Sequence, residues 1–579
     1  MRKLFTVLTF VLIASASGVF AQRTVSPADA TAIRETALNH IEGSYEGNAE
    51  HMERKLLYTG EQSIDGDWVG PLTVGSYWAF VKIHFEIKKD KVEGTLDVPR
   101  ERVTRLPFSP FRFDSSRVRF EAQPIGESGA WIFDGRLRNG SISGIFEFRG
   151  ERGPFQLVRY VQVDSKIYDQ YIGDYRLGPN KYISIARHDP GDGEDYLTYL
   201  DFESGHWGLL YPLSDTTFYF GPARVASFPL DLKITFIKKN GKATSLRWSR
   251  STLHQQKFAQ RVEFYKEEAV TFQNRDVRLS GTLLMPLGPG PHPAVVIVHG
   301  SGAQTRNGSF ASPNYLRFIA DNFARHGIAA LIYDKRGVGA STGDWNRATF
   351  EDLADDVLSG VQLLKNRSDI DPKQIGLWGI SQVGWIIPSA ASRSTDVAFV
   401  IVVGVAGVTP ADQELYRRKE NLRVAGFSEA DIQEALTHQK LKFELVRRNQ
   451  PKDLDAANEQ AKNEKWFPYV SNPTRGQSWV YWRNVINVDP LPDWERFAGP
   501  VLLISGALDE SSPPESLANI EQALRKGGNK DHTSKVFPKA DHLLLVKPTK
   551  SAADDYPHLA TGYLRVIIEW LLKRVDVER

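Results

Sequence analysis

The chain has 579 residues, no cysteine and a formal charge of +2. Lack of cysteine excludes disulfides, thiolate nucleophiles, cysteine-ligated zinc and lipid attachment through cysteine. So small a net charge gives no reason to expect nucleic acid or an anionic membrane as the main partner.

Residues 1–21 read MRKLFTVLTFVLIASASGVFA. A basic start, a short apolar run and a small-residue exit before Gln22 have the layout of a secretory signal peptide. The expectation is export to the periplasm or exterior, with no membrane span left in the mature chain. The apolar run is shorter than the ~20 residues a span needs. Residues 22–54 read as a helical lead-in.

From about 55 to 162 the period changes to two. Ala79, Val81, Ile83, Phe85 and Ile87 alternate with their neighbours, as in half-buried strands. Asn139-Gly140 separates two such runs and signals a hairpin. A second β stretch occupies 163–265, with Leu232, Ile234 and Phe236 alternating before Asn240-Gly241. Two modules of ~100 residues each are expected, as small sandwiches or barrels.

From 266 to 579 short apolar runs alternate with helical stretches. The runs at 294–298, 328–333, 375–379, 398–403 and 501–505 read as buried strands. Segments 314–326, 350–366 and 383–393 read as helices between them. This alternation predicts a mostly parallel sheet with helices on both faces. The interval 408–498 is too long for one crossover. It is charged and helical, has a capping-box start at Ser428 and Asp431, and is expected to be a cap over the sheet's C-terminal edge.

Sites in such a sheet form just past the carboxyl ends of strands. Residues 299–302, HGSG, follow the first strand, and the amide of Ser301 or Gly302 is a candidate oxyanion donor. In 333–343, YDKRGVGASTG, Asp334 and Arg336 are expected to pair with each other and fix the loop; substrate binding is the second reading. Residues 379–385, GISQVGW, place Ser381 at a strand-to-helix turn, with the Gln382 amide as the second oxyanion donor. Val383 stands where such turns usually have a small residue. It is expected to be accommodated by Gly384, letting the first helical turn pack closely on the sheet.

Two later loops supply an acid and a base. Asp509 ends GALD after the strand at 501–505, and His542 ends KVFPKADH. Asp509 could orient His542, and His542 could deprotonate Ser381. The chain order Ser, Asp, His is the one that belongs to this fold. Glu510 is the alternative acid. Asp541 is expected to point elsewhere, and His532 to be a solvated loop histidine. No metal-binding or nucleotide-binding motif is present, so no metal and no cofactor are expected.

Taken together, HGSGAQTR (299–306), YDKRGVGASTG (333–343), GISQVGW (379–385), GALDESSPP (506–514) and ADH (540–542) resemble the α/β-hydrolase superfamily. The likeness covers about 268–579. It is nearest to exported bacterial hydrolases grouped with serine aminopeptidases and dienelactone-hydrolase-like esterases. The resemblance implies Ser381 as nucleophile, Asp509 as acid, His542 as base, and an oxyanion hole from the amides of Gln382 and Ser301. The expected function is serine hydrolysis of an ester or related acyl bond, on a small acyl substrate. Cleavage of short peptides on the same triad is the alternative. A decayed hydrolase whose β modules bind glycan or lipid is the third reading, which exposed aromatics on the first module would favour.

Overall fold

The computed structural model describes residues 63–577 except for short intervening segments, the longest being 222–231 and 547–557. The expected signal peptide and helical lead-in lie outside the described residues. Strands β1 (Gly66–Val74) to β8 (Glu151–Tyr160) close into one barrel. Strands β9 (Gly173–Gly178) to β16 (Gln255–Val262) close into a second. Of the two architectures expected, both modules take the barrel.

Eight strands leave an interior that side chains just fill. In the first barrel the alternating positions Val81, Ile83 and Phe85 point inward, among Phe108, Phe120, Phe133 and Phe146. Tyr171, Tyr175, Tyr199, Phe218 and Phe236 fill the second. At Asn240-Gly241 both residues have positive φ (52° and 79°), the turn that a two-residue hairpin needs. Among the first barrel's residues whose side chains are described, Ile145 is the one large exposed apolar group, so these show none of the exposed aromatics that would favour glycan binding.

The C-terminal half is an eight-stranded sheet. Its strands are β17 (Tyr265–Asn274), β18 (Val277–Pro286), β19 (His292–Val298), β20 (Ala329–Tyr333), β21 (Ile370–Ile380), β22 (Phe399–Val403), β23 (Val501–Gly506) and β24 (His532–Phe537). Their order is β17-β18-β20-β19-β21-β22-β23-β24. The β17–β18 and β18–β20 pairs are antiparallel and the other pairs parallel.

Helices α1 (Tyr315–Arg325), α2 (Phe350–Lys365) and α3 (Val383–Ala391) cross between strands. Among the described residues, six further helices separate β22 from β23: α4 (Pro410–Val424), α5 (Glu429–Arg448), α6 (Pro451–Ala461), α7 (Phe467–Ser471), α8 (Trp479–Val485) and α9 (Leu491–Arg496). The capping box at Ser428 and Asp431 starts α5. After β23 come α10 (Ser516–Lys526) and α11 (Tyr563–Leu571).

The period of two divides the buried strands between two cores. Ala294, Val296 and Val298 pack with α2, α3 and α10, while Val295 and Ile297 pack with α1 and α11. The second barrel is fixed to this α1/α11 side. Its Leu200 joins that core, its Asp174 pairs with Arg325, and Asn314 Nδ2 donates to the Arg187 carbonyl at 2.7 Å.

Candidate active site

β21 delivers Ser381 at its C-terminal end and α3 begins two residues later. The turn between them is tight enough to force Ser381 to φ 67°, a left-handed conformation. A non-glycine residue there costs about 1–3 kcal/mol, which the surrounding packing must offset. The result is a hydroxyl held clear of the strand.

Val383 is fully buried, but Gly384 is not what makes room for it. A Cβ on Gly379 would lie 2.7 Å from Val383 Cγ1, whereas a Cβ on Gly384 would meet Val405 and Ala406. In the first turn of α3, Val383 folds back over the end of its own strand, so the space comes from Gly379. Gly384 has the separate effect of letting α3 approach the loop after β22.

His542 stands between an acid and the serine. Its Nδ1 lies 2.9 Å from each Asp509 carboxylate oxygen, and its Nε2 lies 2.9 Å from Ser381 Oγ. The amides of Ser511 and Ser512 donate to Asp509 Oδ1 at 2.7 and 2.8 Å, fixing the carboxylate. Glu510 is not on the histidine. Asp541 accepts from the amides of Leu543 and Leu545 and so shapes the histidine's own loop. His532 is not a loop residue: it begins β24 and is half-buried. Gly404, just past β22, belongs to the site although no motif marks it. Its φ is 54°, and a Cβ there would lie 2.9 Å from the His542 carbonyl oxygen and 3.1 Å from Nδ1, so glycine suits the place where the histidine packs.

The loop after β19 passes beside the serine. A Cβ on Gly300 would come within 3.8 Å of Ser381 Cβ. Ser301 is half-buried, and Gly302 is buried with φ 83°. His299 is buried, and Nε2 donates to the Tyr333 carbonyl at 2.5 Å. Burial first, and nearby Lys335 second, push its imidazole down to about 3, so it stays neutral.

Asp334 and Arg336 do not pair with each other. Asp334 takes a two-pronged contact from Arg306, with Nη2 at 2.7 Å and Nε at 3.1 Å. Burial pushes its carboxyl up, but hydrogen bonds from Arg306 and the Ala340 amide outweigh it, and the net direction is down. Arg336 turns the other way and grips Asp356 of α2 through Nε and Nη2, both at 2.7 Å. Residues two apart would share a side of a regular strand, but this segment has left the sheet and turns, which is why the two side chains part. Both fix the loop, each through a partner that the sequence pattern does not single out. Among the described residues, no group of three or more His, Asp or Glu is placed to hold a metal ion.

Residues 275–545 match the X-Pro dipeptidyl-peptidase (S15) family. The esterase EstD of Thermotoga maritima is 24% identical over 340 residues, 58% of this chain and 75% of that protein. Residues 275–545 are thus similar to an α/β-hydrolase domain. The chain is a serine hydrolase. The thiohydrolase aneE of Aspergillus aculeatus is 31% identical over 128 residues, 22% of this chain and 37% of that one. The crystal structure of the α/β hydrolase GrgF from Penicillium sp. sh18 aligns at 22% identity and a TM-score of 0.36, over 53% of this chain and 98% of that one.

Proposed function

We propose that this hydrolase cleaves carboxylic esters or related acyl bonds through an acyl-enzyme on Ser381, with His542 as general base and Asp509 as its orienting acid. One observation carries the reading: a single imidazole joins both Asp509 oxygens and Ser381 Oγ at 2.9 Å. His542 Nε2 takes the hydroxyl proton as Oγ attacks the acyl carbon. Asp509 accepts from Nδ1–H and stabilises the imidazolium that forms. The carbonyl oxygen becomes an oxyanion held by the amides of Gln382 and Ser301. Collapse expels the leaving group with the proton from His542, and water then repeats the sequence on the acyl-enzyme.

Helices α4 to α9 act as the cap. Tyr416 OH donates to the Asp509 carbonyl and Gln413 Nε2 to the Ser511 carbonyl, so α4 is fastened to the acid loop. Gln382 Nε2 donates to Tyr481 OH of α8 at 2.5 Å. The substrate is a small acyl compound. Export follows from the layout of residues 1–21.

The S15 match favours a second reading, cleavage of short peptides on the same triad. An exopeptidase needs a carboxylate for the substrate amine. The buried carboxylate of α4, Glu414, is gripped by Arg417 and Arg418 at 2.7 Å, which speaks for the ester reading. A fluorophosphonate probe should label wild type and not Ser381→Ala; equal labelling of both would sink the triad. Comparing p-nitrophenyl acyl esters with dipeptidyl nitroanilides then separates the readings. Faster turnover of the anilides would favour the peptidase.

A further inference from the structure

Lys335 lies between the two loop-fixing residues, and nothing in its spacing marks it. It is buried, 3% exposed. Its ammonium has three N–H bonds and points them at three acceptors. They are the Gly300 carbonyl at 2.9 Å, the Gly302 carbonyl at 3.1 Å and Gln382 Oε1 at 3.0 Å. The first two belong to the loop carrying Ser301, and the third to the residue after the nucleophile.

We propose that Lys335 is a positioning residue of the oxyanion hole, locking the Ser301 amide and the Gln382 amide into one rigid unit. The proposal rests on the triad reading above. Its core is the planarity of the peptide bond. The Gly300 carbonyl and the Ser301 N–H belong to the same trans peptide and point in opposite directions. Holding that oxygen therefore fixes where the N–H points. Gln304 Nε2 holds the Ser301 carbonyl at 2.8 Å, which fixes the next peptide plane in the same way. Three successive carbonyls of the loop are thus held from behind by side chains.

The same ammonium reaches Gln382, whose other side-chain atom, Nε2, is on Tyr481 OH. Gln382 is buried, so its side chain serves this network rather than substrate. A purely structural filler would not need a charge, which is costly to bury. A cation on the Gly300 carbonyl also polarises that peptide, making the Ser301 N–H a stronger donor. Lys335 touches no reacting atom. It acts through the two amides that do.

The test uses the full chain, p-nitrophenyl acetate as substrate and an alkyl trifluoromethyl ketone, whose serine adduct places an oxyanion in the hole. In Lys335→Met, kcat is expected to fall about 10- to 100-fold, short of or at the loss seen when an oxyanion donor is removed outright. KM should stay within about threefold. The inhibition constant of the ketone should rise by the same factor as kcat/KM falls, with an unchanged circular dichroism spectrum. Unchanged kcat, or a rise in KM alone, would overturn the proposal. Should Lys335→Met not fold, Gln382→Met keeps the backbone amide and removes one tie; a loss of about three- to tenfold with parallel weakening of the ketone is expected, and none would overturn it. Ser381→Ala run alongside separates the two levels. If it still hydrolyses the ester, the triad reading fails; if it is inactive while the Lys335 and Gln382 variants match wild type, only the present proposal fails.

Discussion

In the first barrel, Phe120 stacks on Phe133 with centroids 4.5 Å apart, and Phe133 also meets Phe146 and Phe155. At the carboxyl ends of the hydrolase strands, the buried side chains are instead those of His299, Gln304, Asp334, Lys335, Arg336, Gln382, Asp509 and His542. Rings pack in many arrangements at small cost. Buried polar groups do not, because each unpaired one loses the energy of its hydration. The barrel's core thus demands volume, while the hydrolase edge demands direction. Among the barrels' described residues, one charged group is buried, Asp174, and it faces the hydrolase domain to pair with Arg325. Burial pushes its carboxyl up to about 7, with Asp321 nearby adding to the effect. Chemistry therefore concentrates where direction is already being enforced.

This contrast can be broken most severely at Ser381, the proposed nucleophile. Ser381→Ala should cost about 10⁴-fold or more in ester hydrolysis, as loss of a triad member does, with no change in unfolding behaviour. Phe133→Ala should do the opposite. Emptying a ring's space in a packed core costs about 3–5 kcal/mol, so the first barrel's unfolding transition should fall while kcat/KM stays within about twofold. Calorimetry with parallel ester assays reads both. A parallel fall in kcat/KM would mean that the barrel does more than pack.

A subtler break is available inside the turn that carries Ser381. Gly379→Ala forces a methyl into Val383, whose three branch atoms would lie 2.7–3.0 Å away. Displacing α3 also displaces Ser381, and a shift of ~1 Å in a catalytic group costs up to about 10²-fold. A loss of about 10- to 100-fold in kcat is expected. Adding Val383→Ala to the same chain should restore most of it, a coupling that a double-mutant cycle measures. Absence of coupling would mean the Gly379 methyl acts elsewhere.

The layers of the molecule are unequally legible in the sequence. Strands are readable because burial on both faces writes continuous apolar runs, as in 294–298 and 399–403. The barrels are readable as β modules by alternation and by the Asn-Gly turns, but closure depends on β1 meeting β8 and β16 meeting β9, long-range pairings that leave no local mark. Ser381, Asp509 and His542 are readable because strand ends and chain order constrain them, and the structure brings their side chains together. Partner choice is not readable. Asp334 and Arg336 sit two apart and pair with Arg306 and Asp356, which lie in other elements. Lys335 hides between them, since a lysine's three acceptors are two carbonyls and an amide that sequence cannot orient. Gly404 and Gly379 follow the same rule: each makes room for a side chain whose position only the fold decides.

The smallest expected effect tests whether the polar edge is as rigid as its geometry suggests. His299 is neutral and its imidazole sits at about 3, below the ordinary value of 6.5. Between those values the unfolded chain binds one proton more than the folded chain. Stability from this group is therefore complete above pH 6.5 and is lost as pH falls, by about 1.4 kcal/mol per unit. Between pH 7.5 and 5.5 the hydrolase domain should lose on the order of 1 kcal/mol on this account, read as a shift in urea midpoint. His299→Gln keeps a donor for the Tyr333 carbonyl and removes the titration. Its midpoint should differ less between the two pH values by that amount. Equal shifts in the two proteins would mean that the loop opens enough for His299 to protonate in place, and that the edge holding the proposed oxyanion amides is looser than its hydrogen bonds imply.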